Sequence, residues 1–231
     1  MIRAAIRFFI AVVASAPFGW ASAQTSDDSL RAYAVNILQA PAQSVTGYGI
    51  YLGKGLVISA AHVVPPVASR TPPSVRIAGL DLPAKVIKEG SFERMDLTLL
   101  AVDEHKLPDS VRMLRMPLCE KPSWIGEQVI VVVPEGTARS RIISPQWLPR
   151  EYEKKFPTHT TFPSLITDVA TTGNSGSGVF DVEGKCLLGI MSFKIQARPK
   201  SDPAAEPHDI AKYFVPAPTI AAFIPPSQLL D

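Results

Sequence analysis

Twenty-two prolines spread along 231 residues constrain this chain more than any other feature. Inside a helix, proline removes a backbone hydrogen bond and collides with the preceding turn, so long helices are excluded. Between the prolines lie short apolar runs of strand length, bounded by glycine, proline and charged turns. The clearest are 48–52, 56–59, 75–78, 84–88, 97–102, 128–133, 141–144, 178–181, 187–193 and 213–215. Gly53-Lys54-Gly55 joins the first two as a tight hairpin, glycine supplying the positive φ such turns need. Helix is expected only at 219–223 and around 29–38, and the latter reads equally well as a strand. Two stretches rich in proline and charge, 145–163 and 196–209, read as exposed loops. Many short strands without alternating helices predict an all-β sandwich or barrel.

The first 23 residues stand apart from the fold. Arg3 and Arg7, an apolar stretch at 8–14 and the small residues Ala21-Ser22-Ala23 have the grammar of a secretory signal peptide cleaved before Gln24. The apolar stretch is too short to span a bilayer comfortably, and Pro17 and Gly19 interrupt it. The expected product is an exported protein, periplasmic or secreted, with no membrane attachment after cleavage. Residues 24–231 suffice for one domain with a proper core, or for two small barrels sharing an interface, and 24–45 could serve as a pro-segment. Losing Arg3 and Arg7 takes the 23 basic residues to 21, against 21 acidic ones. That balance argues against a nucleic-acid or anionic-membrane partner.

Cys119 and Cys186 are the only cysteines. Export permits a disulfide, and the two would bridge if the strands 128–133 and 186–191 were neighbours. The other reading is a pair of partly buried thiols. Two cysteines without clustered histidines make a weak case for a metal, and no phosphate-binding loop is present, so no cofactor is expected.

Three short motifs carry chemistry. Ser59-Ala60-Ala61-His62 follows a strand, Asp96-Leu97-Thr98-Leu99-Leu100 opens another, and Gly173-Asn174-Ser175-Gly176-Ser177-Gly178 precedes a third. A serine hydroxyl is a poor nucleophile at neutral pH; it needs an imidazole to take its proton and a carboxylate to fix that imidazole's tautomer. Glycines around the serine allow a turn whose N–H groups converge on the oxygen that becomes negative. Each motif alone is weak, and their conjunction in the order His, Asp, Ser is what points to acyl transfer. An α/β-hydrolase esterase is disfavoured by that order and by the missing strand–helix alternation.

Together with Gly49-Ile50-Tyr51-Leu52 and Leu188-Gly189-Ile190-Met191-Ser192, these motifs resemble the trypsin-like serine peptidases, and within them the bacterial branch that includes the HtrA proteases. The resemblance covers most of 45–225. It implies two perpendicular six-stranded β-barrels, divided near 110–125, with a short C-terminal helix and the site in the cleft between barrels. By the same resemblance Ser175 is the nucleophile, His62 the general base and then acid, and Asp96 its orienting carboxylate. The N–H groups of Gly173 and Ser175 would form the oxyanion hole, and the substrate would be a polypeptide. No PDZ domain follows within the chain.

Rivals are weaker. Ser177 takes the place of a family glycine and reads as structural; His105 and His208 read as surface residues; His159, in the 145–163 loop, is the histidine best placed to meet substrate but reads more simply as a loop residue; Asp103, Asp168 and Asp181 lack the setting ahead of a buried strand. Gly178 replaces a common proline, which is expected only to loosen the turn, and 167–172 reads one residue short, which bears on the pocket wall and oxyanion geometry. By the same resemblance, counting back from Ser175 as in the family puts the pocket floor near Val169 and Ala170, with Ser192 and Lys194 on the substrate edge. With no acid at the floor, a small or medium apolar residue is expected at P1, the substrate residue that supplies the scissile carbonyl. Lys194 offers the variant, attraction of an acidic P1. The second functional reading is a protease-fold binding protein that has lost catalysis, and the third a structural β-sandwich.

Overall fold

A computed structural model describes residues 27–39, 44–64, 72–92, 94–148, 164–167, 175–197, 206 and 208–229. Twelve strands form two closed antiparallel barrels. The first contains β1 (Ala34–Gln39), β2 (Ser44–Gly53), β3 (Leu56–Ser59), β4 (Ser74–Ile77), β5 (Leu80–Glu89) and β6 (Thr98–Val102), in the order β1-β2-β3-β6-β5-β4. The second contains β7 (Gln128–Val133), β8 (Gly136–Ile143), β9 (Ser164–Thr167), β10 (Gly178–Asp181), β11 (Leu187–Ala197) and β12 (His208–Pro216), in the order β10-β11-β12-β9-β8-β7. A helix at Ala217–Phe223 follows. This is the trypsin-like architecture that the motifs imply.

The packing explains why the apolar runs are continuous rather than alternating. Side chains along a strand point to opposite faces, and here both faces are covered. Tyr51, Val57 and Leu100 fill the first barrel, and Val129, Val131 and Phe214 the second. Their strand neighbours Ile50, Ile58, Leu99, Ile130, Val132, Phe180 and Ile190 join a single cluster that spans both barrels. The barrels are therefore joined by core.

The 53–55 hairpin is as tight as the glycines suggest: Gly53, Lys54 and Gly55 have φ of 110°, 51° and 75°. Other expectations change. The 29–38 segment is a short 3-10 turn, Ser29–Tyr33, followed by β1, which pairs with β2 and β4 and so closes the barrel. β9 has no counterpart among the apolar runs; its four residues follow directly on the proline-rich stretch. The 196–209 stretch contributes strand at both ends, where Gln196 pairs with Asp209. In 145–163, Pro145–Trp147 is a 3-10 turn, and residues 149–163 lie outside the described set. Residues 1–26, which include the expected signal peptide, also lie outside it. No helix among the described residues is long and apolar enough to cross a membrane.

Cys119 and Cys186 form a disulfide with Cα atoms 5.1 Å apart, but not because their flanking strands are neighbours. β10 lies between β7 and β11. The bridge forms because 117–119 runs beside Leu187, whose N–H donates to Pro117 O while Cys119 N–H donates to Leu187 O, at 2.9 and 3.0 Å.

Candidate active site

His62 leaves β3 on one 3-10 turn, Ala61–Val63. Asp96 sits just ahead of β6, on a loop that folds back sharply: Gly90 N–H donates to Leu97 O, and a Cβ on Gly90 would come within 2.2 Å of Met95 O. Pairing of β3 with β6 then brings the two residues together. The His62 N–H donates to Asp96 Oδ1 at 3.1 Å, and its ring Nδ1 meets Asp96 Oδ2 at 2.8 Å. A carboxylate has no proton to give, so Nδ1 carries the hydrogen of this bond and Nε2 is the ring nitrogen left for the cleft. Asp96 is completely buried and accepts a third bond, from the Ser192 hydroxyl at 2.5 Å. Three donors on one carboxylate hold the imidazole's position and tautomer.

Ser175 arrives from the second barrel. Gly176 follows it at φ +85°, and a Cβ there would lie 1.9 Å from Tyr48 O. No L-residue with a side chain fits that position without displacing one barrel from the other. Tyr48 N–H in turn donates to Ser175 O at 2.9 Å. Ser175 and His62 line one cleft of about 360 Å³ with Phe92, Met191, Ser192, Phe193, Lys194 and Lys212, a size within the range of small-ligand sites. The Ser175 hydroxyl donates to the backbone O of Ser192 at 3.0 Å, and among the described residues that is its hydrogen bond. Phe92 packs edge-on against the His62 ring, centroids 5.6 Å apart, and against Phe193 at 5.9 Å.

The structure thus brings together His62, Asp96, Ser175, Ser192 and Lys194. Gly173, Val169 and Ala170 lie outside the described residues, as do His159, Asp168 and most of the 167–172 segment. Ser177 is fully buried and its carbonyl accepts Met191 N–H; His105 is exposed on a turn capped by Asp103. Gly178 does more than loosen a turn. It lies between β11 and β7, where a Cβ would reach 2.5 Å from Phe180 and 2.7 Å from Ile50, so its bareness lets the barrels close.

Sequence reading missed Phe92 and Lys212. Phe92 carried no pattern. Lys212 did carry one: it is a lysine inside the apolar run Ile210-Ala211-Lys212-Tyr213-Phe214-Val215, and lysine is almost never buried without a reason. It is 3% exposed, with Nζ 3.6 Å from Asp209 Oδ2, while Lys194 Nζ is 3.3 Å from Asp209 Oδ1. Burial would raise the Asp209 carboxyl, but hydrogen bonds from Gln196 and Lys194 and the charges of both lysines outweigh it, leaving it below the ordinary aspartate value.

Comparison with known proteins agrees with this architecture. Residues 47–190 match the family described as trypsin-like peptidase domain. No curated protein sequence matches the chain. Among solved structures, the chain is similar to the MamO protease domain from Magnetospirillum magneticum in its apo form, at 18% identity and TM-score 0.58, covering 85% of this chain and 97% of that one. Kallikrein-related peptidase 10 in complex with Zn2+ matches at 18% identity and TM-score 0.57, over 83% and 92%. The active form of the Rv3671c protease from M. tuberculosis matches at 17% identity and TM-score 0.56, over 95% and 92%. At these identities the structural likeness speaks for the fold, while the sequence match extends over more than half the chain. The protein belongs to the trypsin-like peptidase family.

Proposed function

We propose that this protein is an exported serine endopeptidase in which Ser175 attacks the peptide carbonyl, His62 takes and returns the proton, and Asp96 holds the imidazole. The observation that carries the reading is the His62–Asp96 pair, with the carboxylate fully buried and Nε2 turned to a cleft that also contains Ser175. A rotation of the Ser175 side chain from Ser192 O toward Nε2 would start the reaction. Backbone N–H groups of Gly173 and Ser175 would receive the oxyanion, and water would then release the acyl-enzyme. Export and removal of residues 1–23 belong to the same proposal; the disulfide suits an oxidising compartment.

One observation favours a second reading, a protease-fold binding protein with impaired catalysis: the Ser175 hydroxyl is bonded to Ser192 O. A fluorophosphonate probe separates the two. Labelling of the wild type that is lost in Ser175→Ala and kept in Ser177→Ala supports the peptidase; a wild type that stays unlabelled while binding peptides supports the binding protein.

A further inference from the structure

A site split between two barrels works only if their relative placement is fixed. His62 follows β3 of the first barrel, and Ser175 stands on the turn ahead of β10 in the second. Apolar contacts in the shared core are non-directional and do not by themselves set that register. Hydrogen bonds do, and several converge on Tyr48. Its N–H donates to Ser175 O at 2.9 Å, and its carbonyl accepts the Ser59 hydroxyl at 2.6 Å. Its cross-strand partner on β1 is Asn36, and residues directly opposite in an antiparallel pair share one face. Glu135 reaches that face from the second barrel, on the Pro134-Glu135 turn between β7 and β8. The Asn36 side-chain amide, buried at 6% exposure, donates to Glu135 Oε1 at 3.1 Å. Burial pushes the Tyr48 phenol above its ordinary value, and the neighbouring Glu135 carboxylate pushes it further. The Arg31 guanidinium holds the same turn through Pro134 O, at 2.7 and 3.1 Å.

We infer that Glu135 is a positioning residue for Ser175: it holds the Asn36–Tyr48 pair, whose backbone seats the serine's turn at a fixed reach from His62. The inference rests on the endopeptidase reading of the cleft and adds a residue to its machinery. A serine turn joined to Tyr48 by one backbone bond can pivot about that bond. A second tie one cross-strand spacing away, about 4.5–5.5 Å, removes the pivot. The tie is stiff because it stands on a two-residue turn that Arg31 also grips. It is strong for its kind, since the acceptor is a carboxylate. Nothing in this role requires Glu135 to meet substrate; it acts through Tyr48.

The test uses the mature protein with Glu135→Ala, which removes the tie, and Glu135→Gln, which keeps an acceptor oxygen for Asn36. Glu135 is exposed, so neither change opens the core. Two quantities are read on each variant. One is the fluorophosphonate labelling rate at saturating probe, separated from probe affinity. The other is hydrogen exchange of the Tyr48 amide, whose proton is the one given to Ser175 O. Glu135→Ala should exchange that proton ~10-fold faster and label ~10-fold more slowly at saturation, with affinity changed less than ~2-fold. Glu135→Gln should return both to within ~3-fold of wild type. A purely structural role would lower the urea midpoint of Glu135→Ala and leave labelling of the folded protein at the wild-type rate. That result overturns the inference while leaving the peptidase, and so does Tyr48 exchange at the wild-type rate, whatever the labelling shows. Faster Tyr48 exchange in Glu135→Ala, restored by glutamine, in a protein that never labels keeps Glu135 as the holder of the Ser175 turn and removes the peptidase.

Discussion

Replacing Ser192 by alanine removes one hydroxyl and leaves the backbone carbonyl that holds Ser175. The lost bond is one of three on Asp96, a carboxylate with no exposure to solvent, and the other two come from His62. A hydrogen bond to a charged group is worth about 1.5–3 kcal/mol, and water does not reach the buried oxygen to replace it, so Ser192→Ala should cost about that much. The informative measurement is a double-mutant cycle with Asp96→Ala, by urea unfolding at pH 7 with the disulfide intact. Once the acceptor is gone the hydroxyl has little to lose, and the same Ser192→Ala change should cost less than about 0.5 kcal/mol, near the limit of additivity for independent sites. Labelling of Ser175 should slow in either single variant, because the ring loses part of what orients it. Equal Ser192→Ala costs in the two backgrounds would show that the hydroxyl stabilises the fold independently of Asp96, and the account of the carboxylate's three-point seat would be wrong.

Three further expectations test other parts of the structure. Asp27 is buried and paired to Arg139 Nη2 at 2.7 Å and Lys185 Nζ at 3.0 Å; burial pushes its carboxyl up, but these bonds and charges prevail and hold it below the usual aspartate value. Asp27→Asn should therefore cost about 1–3 kcal/mol at pH 7, and the gap to wild type should shrink as the pH falls below the ordinary aspartate range and through the folded-state value; a gap that does not change between pH 7 and pH 2 would contradict this. Thr98 Oγ1 is buried and has no hydrogen-bond partner among the described residues, so Thr98→Val should leave stability unchanged or raise it by about 1 kcal/mol in urea unfolding. Converting both Cys119 and Cys186 to alanine opens a loop of sequence separation 67 and should cost about 4 kcal/mol on the chain-entropy account, read as a lower urea midpoint.

Much of this was legible from residue order alone. Strand runs such as 56–59 and 128–133 have the observed bounds, the first opened by Gly55 and the second bracketed by Glu127 and Pro134, and the His62 and Asp96 motifs each abut a strand that pairs with its predecessor in sequence, β3 with β2 and β6 with β5. β1 and β9 were not legible, because each closes a barrel only through a partner farther along the chain, β4 for β1 and β12 for β9; the apolar content of 34–38 fits a helix as well as a strand until β2 and β4 claim its edges. The disulfide was anticipated for the wrong geometric reason, since a parallel contact between Leu118 and Leu187 leaves no pattern. Lys212 was legible but unread: its charge interrupts an apolar strand, and only the third dimension shows that the interruption faces the same cleft as Ser175.

The junction at Tyr48 has an evolutionary corollary. Gly47 lies so close that a Cβ would be 2.9 Å from Ser175 O, and Gly176 is pressed against Tyr48 O in return. Each half of the molecule is thus a mould for the other at Ser175. Chimeras that graft one half from a distant relative should inherit a misplaced Ser175 unless both glycines and the intervening backbone spacing are transplanted as a unit, so recombination within this lineage is expected to respect that seam.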